Sequence, residues 1–247
     1  MTAALYHLPS GALAALAPGA EVVLDGAEGH HAVTVKRAQV GEVVLLADGS
    51  GLVASGRISE VATGMARVEI RSVEDSRPTG PRFVLVQALA KGGRDEQAVE
   101  AATELGVDAV LAWQAARSIV RWKAERAEKP LAKWQAVAAA AAKQSRRATT
   151  PEVEGPLSTA GLARRVDAAA LTLALHEDAV EPLAALELPA AGDVLVVVGP
   201  EGGIAPEELD TLVSAGARAV RLGPTVLRSS SAGPAALAVL NAAGRWR

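Results

Sequence analysis

The sequence predicts an α/β protein in two parts, a small β domain followed by a parallel sheet covered by helices. Three observations predict it. Short segments alternating apolar and polar side chains occupy the first 72 residues. From Phe83 onward, apolar runs of strand length alternate with helix-length segments, the pattern of a parallel sheet. Finally, Val194 to Val198 is an unbroken run of Val and Leu, as a strand buried on both faces requires.

The elements follow in order. Glu21 to Leu24 reads as a strand. Glu42 to Ala47 and Leu52 to Val61 form a hairpin around Asp48-Gly49-Ser50-Gly51. Ala66 to Arg71 alternates with period two, as a half-exposed strand does. These segments suggest a small antiparallel barrel over residues 1–72. Ser72 to Pro81 mixes charge, Pro and Gly and reads as a linker, which divides the chain into residues 1–74 and 75–247.

Beyond it, Val84 to Leu89 reads as a strand and Arg94 to Leu105 as a helix stopped by Gly106. Val107 to Ala112 is a strand, Lys129 to Lys143 a helix and Leu171 to His176 another strand. Val194 to Val198 then leads into Gly199-Pro200-Glu201-Gly202-Gly203. Pro206 with Glu207 and Glu208 opens a helix that Gly216 closes. Val220 to Leu222 reads as a short strand feeding a second loop at Gly223. The last helix, Ala232 to Ala243, carries Pro234 in its first turn. It is apolar on every face except at Asn241, so it must be buried all round, and a subunit interface is a natural place for it.

Glycines at the carboxyl ends of strands let a ligand approach bare backbone. No Lys-Ser/Thr pair follows them, and no Gly-x-Gly-x-x-Gly pattern is present, so the two common phosphate fingerprints fail. Spacing alone leads to a nucleotide-like ligand held on backbone loops.

Composition narrows the chemistry. The 247 residues carry a net charge of −3, no Cys and four His. A disulfide, a thiolate nucleophile and a Cys-based metal site are excluded, and a cytoplasmic protein without metal is expected. No apolar stretch reaches the roughly 18 residues of a membrane helix. Charge is uneven: between Trp113 and Thr150 nine Lys and Arg face only Glu125 and Glu128, a local +7 that leaves −10 elsewhere. Such a stretch is an electrostatic footprint for phosphate. Trp113, Trp122 and Trp134 lie within it and read as core fillers.

The particular residues carry a resemblance. Val198-Gly199-Pro200-Glu201-Gly202-Gly203, followed by Leu222-Gly223-Pro224-Thr225-Val226-Leu227-Arg228-Ser229-Ser230-Ser231-Ala232, resembles motifs two and three of the SPOUT methyltransferases. Within that group the chain is most similar to the ribosomal RNA small-subunit methyltransferase E family, which methylates N3 of a uridine in 16S rRNA. Lys91-Gly92-Gly93-Arg94, Thr103 to Val107, Arg117-Ser118 and Lys143-Gln144-Ser145-x-Arg147 fall in family order, and His30-His31 with Arg37 resembles its amino-terminal signature. Two departures stand out. The family reads Arg-Thr-Glu-Thr-Ala where this chain has Arg228 to Ala232, so a carboxylate is missing. A helix-opening Ser is replaced by Ala205, losing a cap worth about 1 kcal/mol.

The resemblance implies a PUA-like RNA-binding barrel, then a trefoil-knotted parallel-sheet domain of SPOUT type that acts as a homodimer. It implies S-adenosylmethionine on the backbone of Leu175, Gly199, Glu201, Gly202, Leu222, Gly223, Val226 and Leu227. With the basic stretch, it points to RNA contacts at Arg37, Lys91, Arg94, Arg117, Arg121, Lys123, Arg126 and Arg147. The expected partner is 16S rRNA in the 30S subunit. A uridine N3 must be presented unpaired and lose its proton before attacking the methyl group. Arg228 is the first candidate to stabilise the resulting anion, or else it braces the loop. Glu201 and solvent remain alternatives for the proton acceptor. A ribose 2′-O-methyltransferase, a nicotinamide-dependent enzyme and a non-catalytic RNA-binding module are the rival readings.

Overall fold

The Val and Leu run sits inside a six-stranded sheet. In the computed structural model, which describes residues 3–246, the chain forms two compact units. One is Met1–Arg77 with Ala142–Thr150, the other Pro78–Ala141 with Pro151–Arg247.

The amino-terminal unit holds strands β1 (Ala4–His7), β2 (Glu21–Leu24), β3 (Val43–Ala47), β4 (Leu52–Ala62) and β5 (Met65–Asp75) in the order β1-β3-β4-β5-β2. Between β2 and β3 lie a short helix α1 (Gly26–His30) and a π-helical turn, His31–Val35. The antiparallel expectation needs one correction: β1 runs parallel to β3. The 35 residues between them supply the long crossover that parallel pairing needs. The linker is also shorter than its composition suggests. Strand β5 runs on to Asp75, which pairs with Leu52, because the start of β4 needs backbone partners.

The second unit is an all-parallel sheet of β6 (Arg82–Ala88), β7 (Ala109–Trp113), β8 (Glu152–Leu157), β9 (Leu171–Leu175), β10 (Asp193–Val198) and β11 (Arg218–Val220). Its order is β11-β9-β10-β6-β7-β8. Helices α2 (Arg94–Glu104), α3 (Glu128–Gln144) and α6 (Ser229–Ala243) contribute to the core on one face. Helices α4 (Thr159–Ala168) and α5 (Pro206–Ser214) cover the other. Trp113, Trp122 and Trp134 are buried, the last two edge-on at 5.2 Å between ring centres.

Three further readings change. Strand β11 ends at Val220, so Arg221 and Leu222 belong to the loop. Helix α6 begins at Ser229, and Pro234 lies inside it, because serines tolerate a first turn that they would not favour mid-helix. Nor is α6 buried all round: Gly233, Leu237 and Leu240 are buried, but Ser231 and Ala242 are exposed. Its buried polar side chain beyond the first turn has a specific task. Asn241 Nδ2 donates to the Leu105 carbonyl at 2.8 Å and the Leu237 carbonyl at 2.9 Å, so it satisfies an orphan acceptor at the end of α2. Gly233 lets α6 approach the sheet, since a Cβ there would stand 2.7 Å from Leu85 Cδ1.

Candidate active site

The carboxyl ends of β9, β10 and β11 open into one cavity of about 750 Å³. Strand β10 is inserted between β9 and β6, so the chain order reverses there, and open α/β sheets bind ligands at such a point. Leu175 stands at the end of β9. Gly199, Glu201 and Gly202 form the wall after β10. Leu222, Gly223, Val226 and Leu227 form the wall after β11. All eight residues expected to meet the cofactor thus border one space, together with Arg94, Arg117 and Arg228.

The glycines do different things. A Cβ on Gly199 would lie 2.9 Å from Ile204 Cγ1 and 3.0 Å from Ile204 N, so the folded loop itself requires glycine. A Cβ on Gly223 would meet no protein atom within 4 Å. The fold leaves that space open, and Gly223 borders the cavity.

A hydrogen-bonded frame fixes the loops. Arg94 Nη1 donates to Glu201 Oε1 at 3.0 Å, and the Lys91 backbone N–H donates to the same oxygen at 3.1 Å. Burial pushes the Glu201 carboxyl up, but hydrogen bonds from backbone N–H groups and Arg94 outweigh it and hold the group below its ordinary range. Arg117 Nη1 donates to the Gly202 carbonyl at 2.9 Å. Behind this wall the buried Glu208 accepts from the Ala116 N–H at 2.8 Å and from Thr159 Oγ1 at 2.6 Å. Glu208 also accepts from the Ala205 N–H at 3.4 Å, which keeps half of a capping box although Ala205 has no hydroxyl of its own. On the opposite wall, Arg221 exchanges backbone hydrogen bonds with Glu181 and Leu183, locking the loops after β9 and β11 together.

Among the described residues the lining arginines with unpartnered guanidiniums are Arg221 and Arg228, and Arg228 is the one at the start of α6. It takes the N-cap position of α6 with an extended backbone, φ −65° and ψ 151°. Among the described residues its guanidinium has no hydrogen-bond or ion-pair partner, and it borders the cavity. The three serines after it differ in burial. Ser229 is buried with an unpartnered hydroxyl, Ser230 is half-buried and Ser231 is exposed. Sequence reasoning missed Arg221 and the acids Glu177 and Asp178, which also line the cavity. Their position directly after the ends of β9 and β11 was the available signal.

The residues expected to touch RNA fall in both units. Arg94 and Arg117 border the cavity and brace its wall, and Lys91 adjoins them. Arg121 donates to the Ala116 carbonyl at 2.8 Å within its own loop. Lys123 and Arg126 are exposed on the same loop. Arg37 and Arg147 belong to the amino-terminal unit, where Arg147 donates to Thr149 Oγ1 at 2.9 Å. The basic stretch spans both units, with Lys143, Arg146 and Arg147 in the amino-terminal unit and the other six cations in the second.

Residues 78–241 match the family model of an RNA methyltransferase domain, and residues 24–70 that of an RNA methyltransferase PUA domain. The ribosomal RNA small subunit methyltransferase E of Mycobacterium bovis is 47% identical over 233 residues, covering 92% of this chain and 89% of that protein. The chain belongs to that family. Solved structures agree with the fold. The family member of Neisseria gonorrhoeae, crystallised with S-adenosyl methionine, is 28% identical with a TM-score of 0.80 over 98% of both chains. A methyltransferase from Legionella pneumophila, solved with bound S-adenosylmethionine, is 29% identical with a TM-score of 0.78 over 98% of both chains. In this family member the frame around Glu201 and Glu208 is built from the residues described above, and among the described residues the cavity arginines whose guanidiniums have no partner are Arg221 and Arg228.

Proposed function

We propose that this protein is an S-adenosylmethionine-dependent methyltransferase acting on N3 of a uridine in 16S rRNA of the small ribosomal subunit. The observation that carries the reading is an unpartnered arginine beside a glycine-walled cavity at the switch point of the sheet, in a chain of this family. The open space at Gly223 fits the flat adenosine of such a cofactor. The backbone of Leu175, Gly199, Glu201, Gly202, Leu222, Gly223, Val226 and Leu227 would hold it. When bound, the cofactor supplies an electrophilic methyl group on a sulfonium.

The chain's own residues do the rest. Arg228 stabilises the anion left when the uracil imide loses its proton, which lowers the imide pKa and makes N3 nucleophilic. Glu201 is held ionised by Arg94 and Lys91, and a carboxylate with a depressed pKa is a weak proton acceptor. Its role is to brace the wall, and the proton leaves to solvent. Ser230 stands where the family carries Glu and contributes little to turnover. The exposed stripe of α6 suits a homodimer, and the locked loops after β9 and β11 suit a trefoil knot through which α6 passes. We further assign residues 1–74 to an RNA-binding PUA-like barrel, residues 75–247 to the SPOUT domain, and the protein to the cytoplasm.

The test is single-turnover methyl transfer from labelled cofactor to 30S subunits purified from a strain lacking this gene, followed by mapping of the modified nucleotide. Arg228→Ala should lower the rate by about 100-fold, as loss of a charge-stabilising group does. Ser230→Ala should stay within a few fold. Label on a ribose, or a collapse in Ser230→Ala with binding intact, would contradict the reading.

A further inference from the structure

Among the described residues, only two that are not glycine occupy the left-handed backbone region, Arg37 at φ 53° and Arg146 at φ 57°. Both are arginines, both lie in the amino-terminal unit, and both are exposed. Neither guanidinium has a hydrogen-bond or ion-pair partner among the described residues.

The backbone explains the conformation but not the residue type. Arg146 follows the end of α3, where the Arg147 N–H turns back to the Ala142 carbonyl at 2.9 Å. That closure needs a left-handed residue and is usually given glycine. Arg37 follows the π-helical turn, and the Ala38 N–H closes on the Ala32 carbonyl at 3.0 Å. In this conformation a Cβ crowds the following carbonyl oxygen, so glycine would relieve both positions. Strain kept at an exposed side chain that touches nothing in its own fold points to something outside the fold.

The two positions are also related. An ion pair between Glu28 and Lys143 ties α1 to the last turn of α3. Arg37 lies nine residues beyond Glu28, and Arg146 three beyond Lys143. Arg37 thus follows the π-helical turn that continues α1, and Arg146 follows α3, the helices that this contact joins. Between Ala142 and Thr150 there are three cations and no acid.

We propose that Arg37 and Arg146 form a two-point clamp for the phosphates of an RNA backbone on the amino-terminal unit. A planar, always-charged guanidinium suits phosphate oxygens, and such contacts position a substrate without reading its sequence. The clamp rests on the reading of the chain as an RNA methyltransferase. It adds Arg146, which motif matching passes over in favour of its neighbour Arg147.

The test uses the full chain with Gly and Ala at each position. Binding of a labelled 16S rRNA transcript is followed across salt concentrations, and urea unfolding is measured in parallel. Each arginine lost should reduce the slope of log affinity against log salt by about 0.7 to 0.9, equally for Gly and Ala. Arg37→Gly and Arg146→Gly should raise the urea midpoint above the parent, whereas Arg37→Ala and Arg146→Ala should not. Unchanged slopes, or Gly variants no more resistant to urea than the parent, would overturn the clamp. A parent that transfers methyl to 30S subunits while the slopes stay unchanged would overturn the clamp alone. A parent without transfer would overturn the enzyme reading.

Discussion

At the scale of single residues, the site is a contrast between glycines that the loop needs and one that it does not. Gly199 is pressed against Ile204, so any side chain there deforms the turn after β10. Gly223 faces open space, so a side chain there is tolerated by the fold and collides only with a ligand. Gly223→Val should therefore unfold in urea like the parent yet lose cofactor affinity in calorimetry, whereas Gly199→Val should lose both stability and affinity. Unchanged affinity in a folded Gly223→Val protein would remove the assignment of this wall to the cofactor. The glycines themselves were legible in the sequence, because their place at strand ends gives them away. Which of them the fold requires was not, since that depends on Ile204, a contact the glycine pattern does not announce. The arginines were less legible. Nothing in the spacing of Arg117 and Arg121 says that both donate to backbone carbonyls, while Arg228 is left without a partner.

Secondary-structure elements follow the sequence where burial is uniform. Strands β6, β7 and β10 read correctly because their own residues are nearly all apolar and buried. Strand β8 and helix α4 were missed. Gly155 and Pro156 interrupt the alternation of β8, and the signal for α4 is only Ser158 accepting from the Gly161 N–H, with Leu162 and Val166 on one face. The end of the chain after α6 carries another feature that no pattern announces. Arg245 pairs with Asp108, donates to the Gly106 carbonyl at 2.9 Å and the Pro81 carbonyl at 2.7 Å, and lies 4.2 Å over the Phe83 ring. Its side chain is only 11% exposed and that of Asp108 only 13%, so removing the cation leaves a carboxylate buried with only the Phe83 N–H as partner among the described residues. Arg245→Ala should cost about 3 kcal/mol or more in urea unfolding. A loss below about 1 kcal/mol would place this pair among surface ion pairs of little weight.

At the scale of the whole molecule, the two-part organisation was visible from the change in periodicity near residue 80. The return of Ala142–Thr150 to the amino-terminal unit was not. Basic residues run on without a break from α3, and membership is decided by distant partners: Glu28 for Lys143, and Gly49 with Ser50 for Thr149. Non-local pairing of this kind leaves no local mark. On the proposed function, the methyl donor and the uracil meet at the cavity beside the sheet's switch point. The central claim, that this cavity serves methylation of a base nitrogen used in pairing, is tested most directly by reverse transcription. Small subunits lacking the modification are treated with the protein and S-adenosylmethionine, and the extracted 16S rRNA is copied. A methyl group on uridine N3 blocks the pairing edge and stops the copy, whereas a ribose methyl leaves that edge intact. A single new stop at a uridine is predicted with the parent protein, and none without cofactor or with Gly223→Val. Label entering the RNA without a stop, or a stop that persists with Gly223→Val, would contradict the account.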